Sequence, residues 1–158
     1  MGRWSREELE EAFDLYQKTA LEAGTTGNWR AWADQFTEDA TYIEHHYGDF
    51  GGREAIFNWI QSTMDEPINR DMRYFPIDWY TIDEEKGWVI CKVWNRMIDP
   101  GDGSIHQDYN ITILKYAGNM KWSYEEDVYN PASFAKTIKG WMERKKELEA
   151  KKAEAAKG

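Results

Sequence analysis

Apolar residues near the start of the chain recur at helical spacing, with Leu9, Ala12, Phe13, Tyr16 and Ala20 on one stripe. Ser5, followed three residues on by Glu8, forms a capping box ahead of it, so the pattern predicts a helix from Ser5 to Ala23. Gly24 to Gly27 should break that helix. Asn28 is placed to cap a second, short helix that turns Trp29, Trp32, Ala33 and Phe36 inward. At Thr41 to His45 the helical period disappears and β-branched and aromatic residues take over, which predicts a strand. Gly48, Gly51 and Gly52 mark a turn, and Arg53 to Met64 returns to the helical period through Ile56, Trp59, Ile60 and Met64.

Beyond Pro67 the pattern is that of strands. Met72–Ile82, Trp88–Ile98, Ile105–Tyr116 and Lys121–Tyr129 are separated by turn-forming clusters and should pair antiparallel. Pro76 needs an edge position or a bulge, because it cannot donate to a ladder. Asn130 and Pro131 open a last helix with Phe134, Ile138, Trp141 and Met142 on its apolar side. Its continuation, Lys145 to Gly158, reads as a solvated, fraying helix end. Helices first and a hairpin meander afterwards give an α+β class, with one domain over residues 1–142 and a charged helical or disordered tail over 143–158. A strongly bent antiparallel sheet, wrapped by three helices from the first half of the chain and by the last one, encloses a cone-shaped space.

Composition narrows the function. A chain of 158 residues that is 41% hydrophobic fills one core without disulfides. A formal charge of -9 repels nucleic-acid phosphate and anionic lipid, so neither partner is expected. The single cysteine, Cys91, lies in an apolar strand pattern and reads as a buried spectator in a reducing compartment. The first residues are too charged for a signal peptide and no window has the apolar length of a membrane span, so a cytoplasmic protein is expected. No nucleotide, calcium or hydrolase-triad motif occurs. His45, His46 and His106 show no metal-ligand spacing, so no metal and no cofactor is expected.

Candidate chemistry centres on D-A-T-Y-I-E-H-H, residues 39–46. Alternation along a strand puts Tyr42, Glu44 and His46 on one face. If that face is inward, Glu44 is a carboxylate among apolar and aromatic groups, where desolvation raises its pKa toward the range of a general base. Nine tryptophans and nine tyrosines exceed the needs of a core this size. Tyr42, Trp59, Trp94 and Trp122 are the expected walls for a flat, apolar ligand.

The order of elements, with D-A-T-Y-I-E leading through G-G-R-E-A-I (residues 51–56), resembles the nuclear-transport-factor-2-like superfamily in its SnoaL-like, polyketide cyclase branch, over about residues 5–142. That superfamily holds ketosteroid isomerase, limonene epoxide hydrolase, scytalone dehydratase, polyketide cyclases and proteins that only bind, so the resemblance implies a fold and leaves the reaction open. It implies a homodimer. Glu44 stands where isomerase-like relatives carry the carboxylate that moves a proton beside a carbonyl. Tyr16 matches their donor tyrosine if Gly24–Gly27 is an insertion, and Asn110 lies near their second donor. The epoxide hydrolase pattern places Asp127 on a catalytic carboxylate position beside Tyr42 and Glu44, although its Arg-x-Asp element is broken at Arg96–Asp99. In dehydratase-like sites a histidine is the acid or base, a role for His46 or His106. The reading reached from the chain alone is a cofactor-independent isomerase, cyclase or lyase on a hydrophobic carbonyl compound, with Glu44 as base and Tyr16 and Asn110 as donors. An epoxide-hydrolase-like water activation and a non-catalytic binder of apolar ligands are its alternatives.

Overall fold

A computed structural model describes residues 2–158. The first helix, α1 (Arg6–Thr26), is capped by Ser5, whose side chain accepts from the Glu8 amide. It runs through Gly24 and ends at Gly27 in the left-handed conformation, three residues beyond the predicted end. Gly24 does not break the helix but lets it approach the sheet: a Cβ there would lie 2.1 Å from the Arg73 carbonyl oxygen. The second helix, α2 (Arg30–Ala33), is a single turn. Phe36, expected on its inner side, instead opens strand β1 (Phe36–Glu44), which is longer than the sequence pattern suggested. The glycine turn contains a short strand, β2 (Gly48–Gly51), and Gly52 at a positive φ then starts α3 (Arg53–Asp65).

The remaining strands are β3 (Met72–Tyr74), β4 (Ile77–Asp83), β5 (Trp88–Met97), β6 (Gln107–Gly118) and β7 (Lys121–Val128). The predicted strand Met72–Ile82 is two strands. Phe75 and Pro76 interrupt it, and both pieces pair with β5 along the sheet edge. Pro76 thus takes the edge position its missing N–H requires, and its carbonyl accepts from the Trp94 amide at 2.9 Å. The sheet order is β2-β1-β7-β6-β5-β3 with β4 beside β5. One pairing departs from the antiparallel expectation, because β1 runs parallel to β7. The α+β fold is a curved, unclosed sheet whose concave face is covered by helices, with α3 against β1 and β2 and α1 against β3.

The last helix, α4 (Pro131–Ala155), is capped by Asn130, packs on β6, and anchors through Trp141 Nε1 to the Ile98 carbonyl at 2.7 Å. It remains helical and exposed across most of the predicted tail. Leu9 and Phe13 of α1, Phe36 of β1, Val89 of β5, Leu114 of β6 and Trp122 of β7 are buried together in the main hydrophobic core. Burying each of these large side chains contributes about 1.5–3 kcal/mol.

Candidate active site

Sheet register builds the site. Across the parallel pair, Tyr42 lies beside Glu125 and Glu44 beside Asp127. Across the antiparallel pair, Thr112 lies beside Asp127. Glu125 and Asp127 face the concave side because β7 carries an extra residue at Ser123: Lys115 pairs with Tyr124 but Tyr116 with Trp122. The bulge reverses the alternation, so Trp122 points inward before it and Glu125 and Asp127 point inward after it. The resulting cavity has a volume of about 310 Å³, with apolar walls that include Trp29, Trp32, Trp59, Phe75 and Ile138.

Glu125 sits at its base, 2% exposed. Its Oε1 is 2.9 Å from Tyr16 Oη and 3.1 Å from Tyr42 Oη. Tyr42 Oη also reaches Asp127 Oδ2. Thr112 Oγ1 donates to Asp127 Oδ1 at 2.7 Å, and Asn110 Nδ2 lies 2.6 Å from Thr112 Oγ1 and 3.4 Å from Asp127 Oδ1. Asn95 holds Asn110 from the far side, donating to its Oδ1 at 2.5 Å.

A phenol has one proton, yet the Tyr42 hydroxyl sits between two carboxyl oxygens. With both acids ionised, one of those contacts would set lone pair against lone pair. A single proton resolves the arrangement: Glu125 Oε1–H donates to Tyr42 Oη, and Tyr42 O–H donates to Asp127 Oδ2. The environment places that proton on Glu125. Burial first, then the charge of Asp127, raises its pKa well above the ordinary carboxylate range. Asp127 is also raised by burial, but the donors Tyr42 and Thr112 pull it back. Tyr16 and Tyr42 are held as neutral phenols, since burial and then the neighbouring carboxyls push both upward.

Glu44 is buried at 4% exposure and lines the same cavity. Its Oε1 accepts from the His46 and Tyr47 amides at 2.7 and 3.4 Å, and its Oε2 from Tyr129 Oη at 2.7 Å. His46 does not continue the strand face as alternation implied, because β1 ends at Glu44. The imidazole stands exposed at the cavity mouth. His106 is elsewhere, against Ser104.

The structure therefore brings together Tyr16, Tyr42, Asn110 and Asp127, with Glu44 and Trp59 beside them. Two expected wall residues are not in the cavity. Trp122 is wholly buried in the core against Tyr16 and Tyr116. Trp94 lies on the convex face, edge-on to Tyr109 with the Lys92 ammonium over both rings. Glu125, Thr112, Asn95 and Tyr129 were not singled out from the sequence. Cys91 is buried and unpaired, and burial pushes its thiol up, away from thiolate chemistry. Among the described residues there is no cluster of three or more His, Cys, Asp or Glu placed to hold a metal ion, and no helix is long and apolar enough to cross a membrane.

Comparison with protein-family models finds no match, and neither does a search of curated proteins by sequence. Solved structures do match. A ketosteroid-isomerase-like protein from Catenulispora acidiphila, in complex with trimethylamine, aligns with a TM-score of 0.60 at 20% identity over 78% of this chain and 91% of its own. An NTF2-like protein from Anabaena variabilis aligns at 0.61 with 14% identity, over 82% and 95%. The epoxide hydrolase/cyclase-like enzyme SalBIII, of pyran ring formation in salinomycin, aligns at 0.62 with 14% identity, over 82% and 95%. The chain has the nuclear-transport-factor-2-like cone fold, which structures named for SnoaL-like polyketide cyclases share as well. At these identities the likeness is one of fold.

Proposed function

We propose that the chain is a cofactor-independent acid–base enzyme, an isomerase or cyclase that moves a proton within a hydrophobic, oxygen-bearing small molecule. The observation that supports it best is the Tyr42 hydroxyl shared between two enclosed carboxyl groups, a geometry that calls for one proton on the pair. Asp127 is the base. It takes a proton from a carbon beside a carbonyl, or from a hydroxyl. The freed electron pair forms an enolate in the first case and closes a ring by opening an epoxide in the second, so negative charge develops on a substrate oxygen either way. Once protonated, Asp127 no longer needs the hydrogen bond from Tyr42. Tyr42, still backed by the Glu125 proton, turns its O–H to the new oxyanion. Asp127 then returns its proton to the substrate, and no net proton is gained or lost.

The neighbour named for ring formation supports the cyclase form. Glu44 suits the role of base less well than Asp127, since two amides and a phenol already hold it at the mouth. Tyr16 and Asn110 likewise spend their donors within the protein, on Glu125 and on the Thr112–Asp127 group. The test is turnover on a panel of hydroxy-epoxides and enones. Asp127→Asn should lower kcat by a factor on the order of 10²–10⁴ with apolar ligand affinity retained, and Glu44→Gln should lose far less. Full activity in Asp127→Asn, or a larger loss in Glu44→Gln, would refute the assignment.

A further inference from the structure

The cavity is charged in one sense only. Glu44, Glu125 and Asp127 line it, and among the described residues no lysine or arginine does. The side chains and amides that hold Glu44 and Asp127 are all neutral donors. Because Glu44 and Asp127 are register partners on neighbouring strands, their carboxyl groups face the same space, and the charge of Glu44 acts on Asp127. Carboxylates removed from water are ordinarily matched by a cation. His46, the one other titratable nitrogen at the cavity, stands out at the mouth.

A second feature points to what is missing. Glu125 Oε2 is buried and has no hydrogen-bond partner, although its residue lines the cavity. Aromatic rings, among them Trp29, Trp32, Trp59 and Tyr42, line the same cavity, and the faces of such rings attract cations through their quadrupoles.

We propose that the cavity binds a hydrophobic organic ammonium ion, an arylalkyl amine whose N–H donates to Glu125 Oε2 and whose charge is balanced by Asp127 and Glu44. A neutral apolar ligand would fill the same volume but leave that oxygen unpaired and the charges unmatched. The inference uses the cavity of the proposed reaction but not its proton-transfer step.

Calorimetric titration at pH 7.5 with benzylammonium and with benzyl alcohol, two probes of nearly equal shape, tests it. Benzylammonium should bind about tenfold more tightly, as expected when a charge-assisted hydrogen bond replaces a neutral one. That preference should collapse in Asp127→Asn and in Glu125→Gln, each first shown by thermal unfolding to be folded. Equal affinities, tighter binding of the alcohol, or a preference unchanged in both variants would overturn the proposal, as would binding of neither probe. Turnover of a neutral substrate by a protein that does not prefer the ammonium would overturn this inference and leave the acid–base reading standing.

Discussion

Replacing Glu125 by glutamine removes a titrating group from the base of the cavity at nearly constant shape, and its effect on stability should change sign with pH. Burial and the Asp127 charge raise the Glu125 pKa in the folded protein. The unfolded chain gives up that proton at about pH 4.3. Between the two values the folded state binds more protons than the unfolded one, so wild-type stability falls as pH rises, by about 1.4 kcal/mol per pH unit for the one retained proton. Asp127 is shifted in the same direction and adds to the fall in both proteins. The amide of the Glu125→Gln variant does not titrate and contributes no such slope. At pH 4 the variant keeps the acceptor for Tyr16 but loses the O–H donated to Tyr42, a cost of about 1 kcal/mol. The two stability curves should therefore cross roughly one pH unit above 4.3, with the wild type more stable below and the variant more stable at neutral pH. Urea unfolding at intervals from pH 4 to 8, followed by tryptophan fluorescence, measures both curves. A difference between the proteins that stays constant over this range would refute the claim that Glu125 is a neutral, protonated acid at its site.

Trp122→Ala should cost about 3–5 kcal/mol in urea unfolding yet leave apolar ligand affinity little changed, because the indole is wholly buried outside the cavity; a large loss of affinity without loss of stability would place it in the site after all. Gly24→Ala should lower the melting temperature against helix propensity, since the added methyl would sit 2.1 Å from the Arg73 carbonyl oxygen. The expected loss is about 1–3 kcal/mol, and a stabilised variant would show that α1 and β3 are not held at that approach.

Much of the fold was legible because its signals are local. The capping box at Ser5, the stripe through Tyr16, the glycine turn before Arg53 and the Asn130–Pro131 start of α4 are each set by a few neighbouring residues. The errors fall where distant chain segments meet. Gly24 looked like a helix breaker because the carbonyl it makes room for is 49 positions away, on β3. Phe36 continued a helical spacing but is claimed by a strand because its register partner is Trp122.

The candidate site divides in the same way. Tyr16 and Tyr42 lie on faces their own periodicity reveals. Glu125 does not, because it belongs to the acidic run Glu125–Glu126–Asp127, which reads as a solvated strand. Alternation counted from Trp122 even assigns the inward position to Glu126. The bulge at Ser123 reverses that count, and nothing within β7 announces it. Asp127 was reached by resemblance alone, with no hint of its partner.

By itself, then, the sequence determined the class of the fold, the inward stripe of α1 and which side chains of β1 share a face, since periodicity and caps are properties of neighbouring residues. Which carboxyl groups meet, and which of them holds the proton, was decided by the parallel pairing of β1 with β7 and by the extra residue at Ser123. Those are relations between strands some eighty residues apart. The proton's position follows from them, because burial and a like charge raise a carboxyl's pKa only once the chain has folded to bring both to bear.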